Sequence, residues 1–323
     1  MRQRTSFIAT MVRIALLTAC VTSCGSQNAT AQQPPPAARP PAANGPPVAR
    51  PVDPRVQIRE YLFEDTKEQM PYALFVSSKV KPDKKSPLIV TLHGLGGTHT
   101  TMMRANALDL AEARGYILVS PMGYNPRGWY GSPPFGPPPG ARAPNGSPPP
   151  GARPPGTRPE GATRPPPGAL GPDPNDPPNL RELSEKDVMN VLAMMQKEFN
   201  VDPDRIYLMG HSMGGAGALH LAVKYPDKWA AVAAIAPAAF GLDPASLTKI
   251  PSMPVAFVHG DADDVVPVSI SRTWVDVLRT NKMTYEYKEV AGGDHGNVIT
   301  LGQPDIFAFF DRHSKNGADT RRD

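Results

Sequence analysis

The feature that most constrains this chain is a stretch where an apolar run stops abruptly at a glycine and a helical pattern begins. The run is Ile206–Met209, Gly210 ends it, and residues 213–225 read as a helix rich in small side chains. Ser212 therefore lies on a sharp turn between strand and helix, and with Gly214 it completes the pattern G-x-S-x-G. Small neighbours let strand and helix approach closely, and the helix N-terminus favours negative charge near the hydroxyl. The pattern predicts a strained nucleophile, but glycine-rich turns also produce it, so it needs partners elsewhere in the chain.

The N-terminus has the features of an export signal over residues 1–24. Basic Met1–Arg4 precedes a mostly apolar stretch, Phe7–Thr22, that an arginine interrupts and that is too short for a transmembrane helix. One reading ends the signal at a bacterial lipobox, with Cys24 (or Cys20, after a shorter apolar core) as the lipid-modified residue. The other ends it at the small-x-small site 29–31 of ordinary signal peptidase. Both predict export, to the periplasm, to the outer membrane as a lipoprotein, or to the outside.

The cysteines exclude several kinds of chemistry. The chain has 2, and both lie in the signal segment, so the mature domain is predicted to have no disulfide, redox pair or cysteine metal site. No set of His, Asp and Glu has the spacing of metal ligands. We expect neither a metal nor a cofactor.

Proline separates a folded domain from its surroundings. Of 41 prolines, 9 lie in residues 34–54 and 19 in residues 133–178, where few apolar side chains accompany them. Such segments are predicted to be disordered, as a tether over 25–54 and an insertion over 133–178. The insertion is either a tolerated surface loop or an arm that contacts other proteins or the cell envelope. The remaining residues, 55–314 without the insertion, are long enough to form one domain with a sizeable core, and residues 315–323 are predicted to be a flexible tail.

The positive charge lies in the same proline-rich pieces. The formal net charge is +4, of which residues 1–54 contribute +4 and residues 133–178 contribute +1. The remainder of the chain therefore carries −1. This balance indicates no nucleic-acid partner for the folded domain.

The folded part alternates short apolar strands with helices. This pattern predicts an α/β protein with a mainly parallel sheet covered by helices on both faces, and ligands at the carboxyl ends of the strands. Ser184 is the predicted N-cap of its helix, with Asp187 in place of the usual glutamate. We expect strands at 56–63, 72–77, 87–92, 116–120, 206–209, 229–235, 254–259 and 284–290, and helices at 101–114, 184–199, 213–225, 268–280 and 305–313.

Three of these strand ends carry partners for the serine. The strand ending at Leu92 enters a glycine-rich loop, His93–Gly97, whose backbone N–H groups suit an oxyanion hole. Another strand enters His259–Pro267, which holds three carboxylates, and the last strand enters Ala291–Gly296, which holds one imidazole. The order is serine, acid, then histidine, as in folds with a strand–turn–helix nucleophile.

With these residues the chain resembles the α/β-hydrolase superfamily. The similar proteins are esterases that include polyhydroxybutyrate-depolymerase-like and feruloyl-esterase-like enzymes, related to the catalytic domains of prolyl-oligopeptidase-type peptidases. Four motifs carry the resemblance: His93–Gly96, Gly210–Gly215, His259–Pro267 and Asp294–Gly296. It implies the α/β-hydrolase fold, and it makes the second aspartate of the third motif, Asp263, the catalytic acid.

The implied chemistry is acyl transfer. Ser212 would attack, His295 would move the proton and Asp263 would orient the imidazole. The N–H groups of Leu95 (with Gly94 as its alternative) and Met213 would bind the oxyanion.

Several neighbouring residues have two interpretations. Three aromatic residues at the same edge either stack on a substrate or pack the loop: Tyr124, Trp129 and Tyr130. His93 and His259 are expected to brace their loops, and the His211 ring to pack under the site. Residues 237–252 are too short for a large lid, so the site should be open.

Three functions remain open at this point. The first is an exported serine esterase acting on polyester, feruloyl or acetyl esters. The second is a serine peptidase of the prolyl-oligopeptidase type that acts on small peptides. Such enzymes usually carry a large gating domain, and nothing in this sequence is long enough to be one, which argues against selection of long peptides. The third is a non-catalytic module that binds through its proline-rich arm.

Overall fold

The structure is a computed structural model that describes residues 52–134 and 173–317. Within them one sheet of eight strands has the order β1-β2-β4-β3-β5-β6-β7-β8. β1 pairs with β2, and β2 with β4, antiparallel, whereas the six strands from β4 to β8 in that order pair parallel. The strands are β1 Gln57–Phe63, β2 Glu68–Val76, β3 Ser86–Leu92, β4 Ile117–Pro121, β5 Val201–His211, β6 Ala231–Ile235, β7 Val255–Gly260 and β8 Tyr285–Val290. The predicted mainly parallel sheet is confirmed.

Helices cover both faces of the sheet, which explains why its strands read as continuous apolar runs. In β3, Leu88 and Val90 enter the core beneath α2, α3 and α4, while Ile89 enters the core beneath α1 and α5. Helix α1 starts four residues later than predicted, because residues 98–103 form tight turns. The helices are α1 Ala105–Arg114, α2 Leu180–Glu198, α3 Met213–Lys224, α4 Ser269–Thr280 and α5 Val298–Asp311.

The predicted cap of α2 is wrong. The helix begins at Leu180, and both Ser184 and Asp187 are buried inside it. The Ser184 hydroxyl accepts the Tyr130 N–H at 3.0 Å instead of capping the helix. Asp187 accepts hydrogen bonds from the Tyr61 hydroxyl and from the backbone N–H groups of residues 123 and 124. Both side chains thus hold the loop that follows β4.

Helix α5 also begins earlier than predicted, at Val298 instead of Asp305, although Pro304 lies inside it. Proline has no N–H, so the carbonyl of Thr300 loses the donor that an unbroken helix would supply. Asn106 on α1 donates its side-chain amide to that carbonyl at 3.3 Å. A neighbouring helix therefore satisfies the group that proline leaves open.

The ends of the predicted insertion fall within the described residues. Arg127 donates to Asp176 at 2.8 Å and to Asp173 at 3.2 Å, and Asn125 donates to Asp176 at 3.0 Å. Residues 173–178 are thus anchored to the folded domain. They do not belong to a disordered insertion, whose C-terminal end was predicted at residue 178. The signal segment with Cys24, most of the tether, the rest of the insertion and the end of the tail lie outside the described residues.

Between β6 and β7 the chain forms only a short 3-10 helix, Pro244–Lys249, in agreement with the expectation of a minimal lid. Across the described ranges no helix combines the length and the apolar character needed to cross a bilayer.

Candidate active site

Ser212 occupies the turn between β5 and α3, as predicted. Its backbone has φ 55° and ψ −115°, a conformation that side-chain-bearing residues rarely adopt. A Cβ on Gly210 would lie 2.0 Å from the Gly214 carbonyl oxygen, and a Cβ on Gly214 would lie 2.3 Å from the Leu92 oxygen. Only glycine fits at these two positions, because strand, turn and helix backbones touch there.

Hydrogen bonds to neighbouring backbone hold this strained turn. The Ser212 N–H donates to the Ile235 carbonyl at 2.9 Å, at the end of β6. The Ser212 carbonyl accepts from Ala216 at 3.1 Å and from Ala238 at 2.9 Å. The adjacent strand and the helix therefore offset the cost of the turn, which we place at about 1–3 kcal/mol.

Asp263 and His295 come together from two different loops. The Nδ1 atom of His295 is 2.7 Å from Oδ2 of Asp263, whose side chain is fully buried, whereas the His295 side chain is 18% exposed. The other carboxylate oxygen, Oδ1, accepts the N–H groups of Val265 and Val266, each at 2.8 Å. The carboxylate is thus fixed at one end by its own loop and presents the other end to the imidazole.

The surroundings of Asp263 keep it ionised. Burial opposes the charged form, but hydrogen bonds from His259, His295 and the Val266 N–H outweigh it and hold the pKa of the Asp263 carboxyl well below its usual range. Asp263 is therefore a carboxylate throughout the pH range in which a histidine titrates.

The two loops are docked to each other by a close backbone contact. A Cβ on Gly260 would lie 2.0 Å from the carbonyl oxygen of Gly293. The loop that carries Asp263 (the acid loop, 259–267) and the loop that carries His295 (the histidine loop, 291–296) therefore touch there. Asp261 accepts the Gly292 N–H at 2.7 Å, which makes it a loop former rather than the acid, as expected. These contacts set the position of His295 relative to Asp263, and sequence spacing alone gave no sign of them.

His211 joins the serine turn to the histidine loop. It is buried, its Nε2 atom is 2.7 Å from the His295 carbonyl oxygen, and the two rings lie 4.6 Å apart between centroids. Burial, reinforced by the nearby His295 charge, lowers the pKa of His211 to about 3. His211 is therefore neutral at pH 7, and its Nε2–H donates to that carbonyl. The sequence predicted that the His211 ring packs under the site, but it did not predict this hydrogen bond.

The glycine-rich loop after β3 lies directly against the serine. A Cβ on Gly94 would be 3.2 Å from the Ser212 Cβ. The N–H groups of Gly96 and Gly97 are occupied by the Pro126 and Gly94 carbonyls, both at 2.9 Å. Within the described residues the Leu95 N–H has no such partner. The Met213 N–H, in the first turn of α3, also has none within its helix.

The three aromatic residues that were predicted to contact substrate differ in their exposure to solvent. Tyr130 is fully buried, and its hydroxyl exchanges hydrogen bonds with the His93 backbone at 3.1 and 3.3 Å. Trp129 is 6% exposed and packs in the core. Both are corrected to loop-packing residues, because this loop folds inward over α2 and α3. Tyr124 is part-exposed and donates to Glu68 at 2.6 Å, so its contact with substrate stays a prediction.

Fold and site together define the class: the chain has the α/β-hydrolase fold, with a serine turn, an Asp–His pair and a glycine-rich loop at the carboxyl edge of its sheet. Residues 186–296, which contain all three side chains, match the family model "Esterase: Putative esterase". The predicted resemblance to α/β-hydrolase esterases is thereby confirmed, and the match agrees with the predicted class of serine ester hydrolase.

Individual relatives point the same way. Over 184 residues the chain is 26% identical to "Putative esterase NocK" of Nocardia uniformis subsp. tsuyamanensis, covering 56% of this chain and 41% of that protein. Over 80 residues it is 40% identical to the bifunctional acetylxylan esterase/xylanase XynS20E of Neocallimastix patriciarum, covering 24% and 11%. The chain thus spans less than half the length of either relative.

A solved structure shows the same fold. The CE1 ferulic acid esterase AmCE1/Fae1A of Anaeromyces mucronatus superposes with a TM-score of 0.54 at 18% identity, over 80% of this chain and 90% of that one.

Proposed function

We propose that this protein is an exported serine hydrolase that cleaves carboxylic esters through an acyl-enzyme. The observation that carries the proposal is the Asp263–His295 pair, 2.7 Å apart, tied through His211 to the strained turn that bears Ser212. Ser212, Asp263 and His295 each follow the carboxyl end of a strand, in the chain order that is typical of this fold, which supports the proposal.

In the proposed mechanism His295 moves the proton. Asp263 accepts the Nδ1–H of His295, so Nε2 is left as the base. As the Ser212 Oγ attacks the ester carbonyl carbon, Nε2 takes its proton, and the imidazolium is stabilised by the Asp263 carboxylate. Nε2–H then protonates the departing alkoxide, and the C–O bond breaks. Water repeats the sequence on the acyl-enzyme, which releases the acid and restores the serine.

The tetrahedral oxyanion would be bound by the N–H groups of Leu95 and Met213. Both donors are backbone groups on short, anchored segments, so they need little reorganisation when charge develops. Each such donor is typically worth about 3–4 kcal/mol of transition-state stabilisation.

The substrate class comes from the loops and the relatives. The relatives are named as feruloyl and acetylxylan esterases, and the short segment 237–252 leaves the site open enough for an ester carried on a polymer. We therefore place feruloyl or acetyl esters on polysaccharide first, with polyesters next. The signal pattern that ends at Cys24 suits an enzyme that meets such polymers outside the cytoplasm.

One assay series tests the reaction. The full chain is incubated with nitrophenyl acetate, methyl ferulate, acetylated xylan, hydroxybutyrate oligomers and a proline-containing peptide amide, beside Ser212→Ala and Asp263→Asn. We expect kcat to fall by roughly 10⁴-fold or more in both variants. Exposed Ser252→Ala is the matched control and should keep the wild-type rate. Ester turnover that survives Ser212→Ala would refute the mechanism, and faster amide than ester turnover would favour a peptidase.

Export is tested separately. In a bacterial host with lipoprotein processing, the full chain should partition with membranes and incorporate labelled fatty acid, and Cys24→Ala should abolish both. Unchanged labelling in Cys24→Ala and loss in Cys20→Ala would move the lipid to the earlier cysteine. A cytosolic, uncleaved chain would overturn the export proposal.

A further inference from the structure

His259 is a fully buried histidine with both ring nitrogens engaged. It lies at the end of β7, where the acid loop begins. Its Nδ1 atom is 2.7 Å from the Ser271 hydroxyl on α4. Its Nε2 atom is 2.9 Å from the Val266 carbonyl oxygen and 3.2 Å from Oδ2 of Asp263. The ring therefore contacts the acid itself as well as the backbone of its loop.

The partners fix which nitrogen carries hydrogen. A carbonyl oxygen and a carboxylate can only accept, so Nε2 must be the donor. A serine hydroxyl can donate or accept, and with Nε2 protonated the Ser271 hydroxyl donates to Nδ1. The Nε2–H of His259 therefore points at the Val266 carbonyl, and Oδ2 of Asp263 lies 3.2 Å from the same nitrogen.

The Asp263 oxygen that His259 contacts is also the one that His295 uses. Oδ2 accepts from His295 Nδ1 at 2.7 Å, and His259 Nε2 lies 3.2 Å from the same oxygen. We propose that His259 is a positioning residue for the Asp263–His295 pair, holding Oδ2 in line with the His295 ring and sharing its lone pairs. This inference rests on the proposed acyl-transfer function.

Sharing the oxygen has a chemical consequence with a definite sign. A carboxylate oxygen that gives part of its hydrogen-bonding capacity to His259 is a weaker partner for the imidazolium of His295. Without His259, the carboxylate would interact more strongly with that imidazolium. The acid would also be less well oriented, which slows the chemical step. Glu289 on β8 also faces His259, and it pairs with Arg272 on α4. The substitutions below change neither of them.

The test compares two replacements in the full chain. His259→Leu removes the donor, whereas His259→Gln can place an amide N–H toward Asp263. For His259→Leu we expect kcat on nitrophenyl acetate to fall roughly 10- to 100-fold, as for small misplacements of catalytic groups, with KM within about 2-fold. The acidic limb of kcat/KM against pH should move to higher pH. His259→Gln should recover most of both effects.

A second variant covers the case in which His259→Leu does not fold. Ser271→Ala removes only the hydroxyl that orients the ring, and it should lower kcat several-fold and move the acidic limb in the same direction. Phe307→Leu, a buried change on α5, is the stability control and should lower the melting temperature without moving the limb. Equal kcat in the Leu and Gln variants, or a Ser271→Ala profile identical to wild type, would overturn the proposal.

A readout independent of turnover separates this inference from the proposed function. Imidazole ¹⁵N NMR of the wild-type chain should show His259 protonated on Nε2 alone, and Ser271→Ala should alter that signal. A wild-type chain inactive on every ester would defeat the proposed function. An Nδ1–H tautomer for His259 would defeat the positioning role, whatever the activity.

Discussion

The buried imidazole of His211 should make folding stability depend on pH. His211 is 7% exposed, and its pKa lies near 3 instead of 6.5 because burial disfavours the imidazolium. The charges of His295 and Arg104 act in the same direction, and Asp263 acts against them. The unfolded chain therefore binds a proton below pH 6.5 that the folded chain does not bind.

The sign and size follow from this difference. A folded-state pKa below the unfolded value means that acid favours the unfolded state, so stability is lost as pH falls through 6.5 towards 3. Each pH unit in that window is worth about 1.4 kcal/mol for one proton. Between pH 7.5 and pH 4.5, His211 alone should lower the free energy of unfolding by roughly 2–3 kcal/mol.

The perturbation that isolates this effect is His211→Gln. Glutamine cannot take up a proton, yet its amide can still donate to the His295 carbonyl. Urea unfolding at half-unit steps from pH 7.5 to 4.5 gives the difference in unfolding free energy between wild type and variant. We expect that difference to move in favour of the variant by roughly 2–3 kcal/mol across the range. A difference that stays constant with pH would mean that His211 has the same pKa in the folded and the unfolded chain, which would refute the reasoning.

Three further outcomes are expected. Gly210→Ala places a Cβ about 2.0 Å from the Gly214 carbonyl oxygen, so the variant should lose more than about 3 kcal/mol or fail to fold; a wild-type melting temperature would contradict this. Burial raises the pKa of Asp187 to about 6, so that residue stabilises the fold below pH 4 and its contribution is lost as pH rises through 6; urea unfolding of Asp187→Asn should lack that decline. Arg127→Met breaks the ion pair with Asp176 beside the glycine-rich loop and should reduce kcat/KM for esters several-fold, whereas an unchanged value would show that the loop holds its position alone.

The sequence by itself determined the fold class and predicted the reacting groups. Apolar strands alternating with helices required a parallel sheet covered on both faces, and the structure has it. Only glycine fits beside Ser212 at positions 210 and 214, so the G-x-S-x-G motif could be recognised from the neighbouring residues alone. The strand ends predicted three carboxylates and one histidine, His295, near the serine, because the carboxyl ends of parallel strands meet at one edge. The resemblance to α/β-hydrolase esterases then made Asp263 the predicted acid.

Only the tertiary structure decided what surrounds those groups. Ser184 and Asp187 looked like a helix cap, yet packing turned both toward the loop after β4, because α2 begins four residues earlier. The hydrogen bond from His211 to the His295 carbonyl joins segments that lie far apart in the chain, and the contact of His259 with Asp263 depends on how the intervening loop folds back. Local patterns record which backbone conformations a segment can adopt. Which side chains then meet depends on how the segments pack. The sequence could therefore predict the nucleophile, whereas only the packing decided which groups hold Asp263 and His295 in place.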